Sequence, residues 1–277
     1  MTELTGRIAV VTGAGSGLGA AMARAFAGAG MKVGVLDIDA EAAAATASSI
    51  AELGIEATST RVDIGDSASV AAAAEHVRTA LGGCDVLCSN VGVQQFGAID
   101  RLTEQDWSWV INVNVLGTVR TVRGFLPIMR AGSGFRRVVF TASSSVLAPS
   151  VRLGAYQTSK FAVMGFAESL REELAPEGIG VTILFPGGMM TRHLESSVLA
   201  RPSELGESVL DQSDVEAMMA HQPMGDGDLA TADDAIRNLL TDLEAGEPYV
   251  ITHGSFRPIY ERRRAAMDAA FDRMEAS

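Results

Sequence analysis

Short apolar runs rich in β-branched residues alternate with longer alanine-rich stretches along most of this chain. Seven runs have the length of buried strands: 7–12, 32–36, 56–62, 85–89, 137–141, 181–185 and 249–252. Five stretches have the composition and length of helices: 18–29, 40–53, 67–81, 104–129 and 155–175. Most runs lack polar alternation, which is typical of parallel strands covered on both faces. The pattern predicts an α/β fold with a seven-stranded, doubly wound parallel sheet and helices on both faces.

The composition favours one globular domain and argues against several kinds of partner. The 277 residues are 47% hydrophobic and 20% charged, and no linker rich in Pro, Gly or Ser divides them, so we expect 1–277 to form a single domain. The net charge of -12 argues against nucleic acid and anionic membranes as partners. No apolar segment approaches the roughly 18 residues of a membrane span. Cys84 and Cys88 have no histidine cluster nearby, which predicts free thiols in a cytoplasmic protein and no metal site.

A glycine-rich turn follows the first predicted strand and opens the first predicted helix. It reads Thr12-Gly13-Ala14-Gly15-Ser16-Gly17-Leu18-Gly19. Glycines allow the backbone to approach a diphosphate, and the helix start offers unpaired N–H groups and the positive end of the dipole. The position between strand and helix is the one that dinucleotide binding requires. We expect the cofactor diphosphate to be held by Gly13, Ser16, Gly17, Leu18 and Gly19.

Asp37 ends the second predicted strand, about twenty residues beyond the glycines, where an acidic residue accepts hydrogen bonds from the ribose hydroxyls and repels a 2'-phosphate. Neither Ser16 nor Ile38 offers the positive charge that a phosphorylated ribose needs. These residues predict NAD rather than NADP. Further cofactor contacts are predicted at Ile38, directly after Asp37, and where the third and fourth strands end, at Asp63, Ile64, Asn90, Val91 and Gly92, with Asn90 expected mainly to fix the strand end.

Tyr156 and Lys160 stand four residues apart in a predicted helix and therefore on one face. A nearby ammonium favours the charged form of a phenol, so we expect Lys160 to lower the pKa of Tyr156 from its usual value of about 10. A tyrosine tuned in this way transfers protons near neutral pH. The same spacing is also common on ordinary helix surfaces, and it is the neighbouring motifs that favour a catalytic interpretation.

Several ordered motifs make the chain, from about residue 6 to 192, resemble the short-chain dehydrogenase/reductase family of Rossmann-fold enzymes. The glycine turn matches the family, as do Asn114 within 112–117, Ser143 thirteen residues before Tyr156, and the segment from 186 to 191. The segment 89–92 reads Ser-Asn-Val-Gly where the family usually has Asn-Asn-Ala-Gly. This departure replaces no catalytic group.

The resemblance implies an NAD-dependent oxidoreductase that interconverts a secondary alcohol and a ketone. By this resemblance Tyr156 is the acid/base, Ser143 bonds the substrate oxygen and Lys160 also holds the nicotinamide ribose. Asn114 completes the implied catalytic set by anchoring a water through which the proton leaves. The nicotinamide end of NAD is implied to contact Tyr156, Lys160, Pro186, Gly187, Met189 and Thr191.

The region from about 190 to 228 is irregular and contains several methionines, and in this family it covers the substrate. We expect a lid there, over an apolar pocket that is also lined by Gln94, Ser145, Gly188 and Met190. Such a lining favours a medium-sized hydrophobic or aromatic alcohol or ketone. The segment 252–254 reads Thr-His-Gly, which resembles bacterial aryl-alcohol (Cα) dehydrogenases.

A helical tail is predicted at about 257–277, and the family resemblance implies a homodimer or homotetramer. Two other functions are compatible with the same fold. One is a carbonyl or ketoacyl-type reductase working in the biosynthetic direction, which Asp37 disfavours. The other is a catalytically silent dinucleotide-sensing protein, which has no need of the complete set of Asn114, Ser143, Tyr156 and Lys160.

Overall fold

The computed structural model describes residues 3–189, 193–206, 211–221 and 228–276. Seven parallel strands form one sheet in the order β3-β2-β1-β4-β5-β6-β9. Their bounds are β1 Ile8–Thr12, β2 Lys32–Asp37, β3 Ala57–Arg61, β4 Val86–Ser89, β5 Arg136–Thr141, β6 Ile179–Phe185 and β9 Tyr249–Ile251. Two short strands, β7 Gly188–Met189 and β8 Leu229–Ala230, pair separately. The predicted seven-stranded, doubly wound parallel sheet is confirmed.

Helices cover both faces of the sheet. They are α1 Gly17–Gly28, α2 Ala40–Ala51, α3 Ser67–Leu81, α4 Glu104–Ile111, α5 Gly117–Ala131, α6 Gly154–Leu174, α7 His193–Leu199, α8 Gln212–His221, α9 Ala232–Ala235, α10 Leu239–Ala245 and α11 Arg257–Glu275. Within the described residues, no helix is long and apolar enough to cross a membrane. The same residues contain no cluster of three or more His, Cys, Asp or Glu side chains that is able to hold a metal ion.

Two apolar clusters hold the layers together. On one face of the sheet, Phe125 and Phe140 are fully buried among residues of α3, α5 and α6. On the other face, Phe26 and Ile50 are fully buried among residues of α1, α2 and α10. Burial of each such side chain contributes about 1.5–3 kcal/mol to the stability of the fold. The sheet therefore supports the loops at its edges firmly.

The prediction of one continuous helix at 104–129 is wrong, because a π-helical turn at Asn112–Leu116 separates α4 from α5. Such a turn carries an extra residue and shifts the side chains that follow it.

The carboxyl ends of β1, β4, β5 and β6 share one edge of the sheet, because all of its strands are parallel. The order of the strands reverses between β1 and β4. Crevices at such a reversal are where α/β sheets bind ligands.

Candidate active site

The glycine turn between β1 and α1 has backbone geometry that side chains would obstruct. Gly13 and Gly17 have φ angles of 67° and 52°, in the left-handed region that favours glycine. A Cβ on Gly19 would lie 2.1 Å from the Gly13 carbonyl oxygen. In the described part of the chain, no side-chain cap from Ser16 occupies the first-turn amides of α1. The turn is therefore a backbone cradle at a helix start, where an anionic diphosphate fits.

Asp37, at the end of β2, contacts this cradle directly. Its Oδ2 accepts a hydrogen bond from Gly15 N at 2.8 Å, and its Oδ1 accepts one from Asp39 N at 3.0 Å. An ionised carboxylate has about four acceptor positions, so the two bonds leave capacity for ribose hydroxyls. The neighbouring Ile38 is exposed and carries no charge. Asp37 thus supports the turn, and its contact with the adenosine ribose stays a prediction.

Asn90 joins the ends of three strands. Its Nδ2 donates to Thr12 O at 3.1 Å, and its Oδ1 accepts from Thr141 Oγ1 at 2.9 Å. Val91 packs on the glycine turn, since a Cβ on Gly13 would lie 3.1 Å from its Cγ2. These contacts connect β4 to β1 and β5, which agrees with the mainly structural role expected of Asn90.

Asp63 and Ile64 follow β3 and shape the turn before α3. Asp63 Oδ1 accepts from Gly65 N at 2.8 Å. Ile64 is buried against α5, because a Cβ on Gly117 would lie 2.6 Å from its Cδ1. A role for either residue toward the adenine stays a prediction.

Lys160 is buried at the carboxyl end of β5. Its Nζ donates to Thr141 O at 2.8 Å, and burial lowers its pKa to about 8. A Cβ on Gly92 would lie 2.9 Å from Nζ. Gly92 therefore leaves space for the lysine ammonium, and its predicted contact with the cofactor stays a prediction.

Tyr156 is 6% exposed and its phenol hydrogen-bonds the side chains of Ser143 and Gln94. Burial raises the pKa of Tyr156, and these two hydrogen bonds partly offset that rise. The Lys160 ammonium lies 5.6 Å from the centre of the tyrosine ring and donates to Thr141 instead. The lowering of the Tyr156 pKa that the helical spacing predicted is therefore not a feature of this structure, because a shared helix face does not bring the ammonium to the phenol oxygen.

The serines that follow β5 separate clearly by their contacts. Ser143 bonds Tyr156, and its Oγ also accepts from Ser145 N at 3.1 Å. Ser145 Oγ is buried and has no hydrogen-bond partner among the described residues. Ser144 is held through its backbone, whose N–H donates to Pro186 O at 2.8 Å. The structure thus brings only Ser143 of the three to the phenol.

Asn114 lies in the π-helical turn and is fully buried. Its Oδ1 accepts from Val93 N at 2.8 Å, and its Nδ2 donates to Val93 O and to Ser159 Oγ, each at 2.9 Å. Ser159 Oγ in turn donates to Tyr156 O at 2.6 Å. Asn114 therefore fixes the loop after β4 to the helix of Tyr156, and a water-anchoring role stays a prediction.

His253, just after β9, contacts the segment predicted to hold the nicotinamide. Its Nε2 lies 2.6 Å from Gly188 O and its Nδ1 lies 2.7 Å from Thr252 Oγ1, which accepts from Gly187 N at 3.4 Å. The neutral tautomer with a proton on Nε2 satisfies all three contacts. In the sequence, the only signal for His253 is the short resemblance at 252–254.

The described parts of the region expected to be a lid, 193–206 and 211–221, are fastened to the loops around the tyrosine. Ser197 Oγ accepts from Gln94 N at 3.0 Å. Arg201 pairs with Asp106 at 2.7 Å, with both side chains 8% exposed. Asp214, on α8, is buried and pairs with Arg101 and Arg152. Met190 and Thr191 lie outside the described residues, and Met189 lies in β7, paired with Ala230.

Comparisons with known proteins agree with this arrangement. A family model described as short chain dehydrogenase matches residues 7–201. The chain is 40% identical over 156 residues to human (Homo sapiens) 17-beta-hydroxysteroid dehydrogenase type 1, covering 56% of this chain and 45% of that protein. It is 34% identical over 157 residues to a C alpha-dehydrogenase of Sphingobium, covering 56% of this chain and 51% of that protein. The chain thus matches about half the length of these curated relatives.

The whole fold also has a close counterpart among solved structures. A short chain dehydrogenase/reductase from Burkholderia phymatum in complex with NAD superposes with a TM-score of 0.87 and 30% identity, covering 98% of this chain and 97% of that one. Other similar solved structures hold NADP. The matched residues contain the glycine cradle, Asn114, Ser143, Tyr156 and Lys160. The chain belongs to the short-chain dehydrogenase/reductase family, whose oxidoreductases bind a nicotinamide dinucleotide and act on CH–OH groups.

Proposed function

We propose that this protein is an NAD-dependent dehydrogenase that interconverts a secondary alcohol and its ketone. The observation that carries the proposal is the contact between the buried Tyr156 phenol and Ser143, beside buried Lys160 and at the sheet edge that carries the glycine cradle. A carbonyl reductase of the biosynthetic direction and a silent dinucleotide-sensing protein are the alternatives. Turnover of secondary alcohols with NAD excludes the silent protein, and a kcat/KM with NAD well above that with NADP disfavours the biosynthetic reductase.

The bound nicotinamide supplies a hydride acceptor in oxidation and a hydride donor in reduction. In oxidation, the Tyr156 oxygen takes the proton of the substrate hydroxyl, and in reduction it returns one. Ser143 donates a hydrogen bond to the substrate oxygen as its charge changes, which is where a fixed polar group is most effective. Gln94, whose side chain also bonds the phenol, supports the charged form of Tyr156.

The Lys160 side chain is positioned by three neighbouring residues and not by Tyr156. Thr141 O accepts from Nζ, Gly92 leaves room for it, and Asn114 braces the loop that contains Gly92. Because its pKa is about 8, the lysine can exchange its proton near neutral pH. We assign to it the ribose contact and the first step of proton release, with Asn114 anchoring the connecting water.

The cofactor preference rests on Asp37. Its carboxylate sits against the glycine turn through Gly15 N, and a 2'-phosphate there would meet a negative charge. We expect kcat/KM to be at least about 100-fold higher with NAD than with NADP, since a charged hydrogen bond contributes about 1.5–3 kcal/mol and repulsion adds to it. The double variant Asp37→Ser with Ile38→Arg should reverse the preference. Equal kcat/KM values for the two cofactors in the wild type would refute the assignment.

The substrate is proposed to be a medium-sized hydrophobic or aromatic alcohol or ketone. The relatives named as hydroxysteroid dehydrogenase and C alpha-dehydrogenase support this class. The proposed lining is Gln94, Ser145, Gly188 and Met190, under a lid at about 190–228. A panel of aromatic, alicyclic and steroid-like secondary alcohols, read as NADH absorbance, tests the proposal. Turnover confined to sugars or acyl thioesters would contradict it.

Two further properties stay predictions. The two cysteines are free and buried, which fits the predicted cytoplasmic location. A homodimer or homotetramer is expected from the family.

A further inference from the structure

Helix α11 meets the rest of the protein on one narrow face. Ile259 and Arg263, four residues apart and therefore on the same side of the helix, are half-buried, and every other residue of Arg257–Glu275 is exposed. The Arg263 guanidinium donates from Nη1 to Val146 O at 2.6 Å and to Leu147 O at 3.1 Å. Through this side chain, the surface helix reaches the backbone of the loop that follows β5.

The contacted carbonyls close a single 3₁₀ turn, Ser144–Val146, which we call the serine turn because Ser143 is its N-cap. The start of the serine turn is held by the hydrogen bond from Ser144 N to Pro186 O at 2.8 Å. Its end is held by Arg263, and hydrogen bonds from a charged donor are roughly twice as strong as those between neutral groups. Arg263 therefore limits how far the serine turn can move away from the sheet edge.

The same guanidinium also lies against the helix that contains the tyrosine. It is 5.4 Å from the centre of the Phe161 ring, within the distance of about 6 Å at which a cation is attracted to an aromatic ring. Phe161 directly follows Lys160 in α6, and Tyr156 lies five residues earlier in the same helix. Arg263 thus contacts both elements that bring Ser143 and Tyr156 together.

We propose that Arg263 is a positioning residue for the reaction, which holds the serine turn against α6 and so sets the contact between the Ser143 hydroxyl and the Tyr156 phenol. The inference rests on the proposed function, in which these two oxygens meet the substrate oxygen. Arg263 acts through the backbone of the serine turn. A misplacement of about 1 Å costs about 100-fold in rate, so a shift of a fraction of that distance is enough for a loss of about ten-fold.

Arg263→Met removes the charge and all of the N–H donors and keeps an unbranched apolar side chain. For alcohol oxidation, kcat should fall about ten-fold, while the KM for NAD stays within about two-fold of the wild type. The low-pH limb of kcat/KM should move up by about half a pH unit, because a looser hydrogen bond from Ser143 favours the charged phenol less. Arg263→Lys keeps a charged donor without the planar fork and should recover part of both losses.

Arg262→Met is the matched control. Arg262 is the adjacent residue, is exposed, and makes no hydrogen bond to the serine turn in the described part of the chain. Its replacement removes the same charge from the same helix, so kcat and the low-pH limb should match those of the wild type. Thermal unfolding of every variant shows whether it is folded.

A double-variant cycle with Ser143→Ala tests the route of the effect. If Arg263 acts by placing the Ser143 hydroxyl, Arg263→Met should lower kcat by less than about two-fold once that hydroxyl is absent. Full additivity of the two losses would overturn the proposal. If Arg263→Met does not fold, Arg263→Lys takes its place in the same cycle.

Three other results would also count against the proposal. A lower unfolding temperature of Arg263→Met with an unchanged kcat and an unchanged low-pH limb would mean that the residue only attaches α11. Equal losses in Arg262→Met and Arg263→Met would mean that the charge of the helix matters and not the contact. Both results would refute the inference and leave the proposed function standing. No turnover by the wild type on the substrate panel would refute both.

Discussion

The contrast between Ser143 and Ser145 offers a test in which the two variants differ by position alone. Both side chains are buried hydroxyls that follow β5. Ser143 bonds the Tyr156 phenol and accepts from Ser145 N, whereas Ser145 Oγ has no partner in the described residues. Each serine is changed to alanine, which removes one oxygen and leaves the backbone unaltered. The proposed mechanism gives these two equal chemical changes very different consequences.

The expected magnitudes follow from those contacts. Ser143→Ala removes the group that stabilises charge on the substrate oxygen, and loss of one such donor costs about 2.7–4 kcal/mol, or about 100- to 1,000-fold in kcat. Ser145→Ala removes a hydroxyl that has no hydrogen-bond partner in the described residues and only lines the proposed pocket, so kcat should stay within about three-fold of the wild type and stability should not fall.

The assay is initial-rate NADH formation with the best secondary alcohol from the substrate panel, together with thermal unfolding of each variant. Reading kcat and KM separately distinguishes lost charge stabilisation from weaker substrate binding. If Ser143→Ala kept more than about a third of the wild-type kcat, or if Ser145→Ala lost as much as Ser143→Ala, the assigned roles would be wrong.

Two further predictions concern Lys160 and His253. Burial lowers the pKa of Lys160 from 10.5 to about 8, so between these pH values the unfolded chain binds a proton that the folded protein does not. The unfolding free energy of the cofactor-free wild type should therefore rise with pH over this range, by up to about 3 kcal/mol more than that of Lys160→Met. Denaturant titrations at several pH values measure both free energies. The same pH dependence in the wild type and in Lys160→Met would contradict the prediction. His253→Ala should raise the KM for NAD about ten-fold by freeing Gly188 O, while His253→Gln, which keeps an N–H donor, should recover most of the loss. His76→Ala, which loses a 2.8 Å contact with Thr58 far from this edge, is the control and should leave that KM unchanged.

Local signals were sufficient to predict the sheet and most of the helices. Helix α3 begins and ends where the sequence predicted, because Asp66 caps its start through Ala68 N and Gly82 adopts a φ of 94° at its end. The predicted strands differ from the observed ones by one or two residues at their ends. Uninterrupted apolar runs and terminal capping residues are short-range features, and these are what a sequence displays directly.

The π-helical turn at 112–116 is a feature that local sequence signals did not predict. Its residues have ordinary helical composition, so the sequence does not reveal the extra residue in the turn. The turn accompanies the hydrogen bonds of Asn114 with Val93 and Ser159, which are distant in the sequence. The groups that meet there are the backbone of Val93 and the side chains of Asn114 and Ser159. Nothing in a local pattern specifies their contact.

In the candidate site, too, the sequence predicted the key residues but not all of the contacts between them. Family motifs led to Ser143, Tyr156 and Lys160, but helical spacing alone gave the wrong electrostatic partner for the phenol. In the structure Lys160 donates to Thr141, while Gln94 contacts Tyr156 from a loop more than sixty positions away in the chain. His253 was missed for the same reason, since its partner Gly188 is 65 residues distant.

The most direct test of the central claim is the turnover of Tyr156→Phe with saturating NAD. This variant loses only the phenol oxygen, and it leaves the glycine cradle, Asp37 and Lys160 in place. The account predicts that NADH binding, measured by fluorescence, stays within about two-fold of the wild type, while kcat falls about 100- to 10,000-fold, the usual contribution of a general acid/base. A variant that binds NADH normally and retains wild-type kcat would contradict the proposed mechanism.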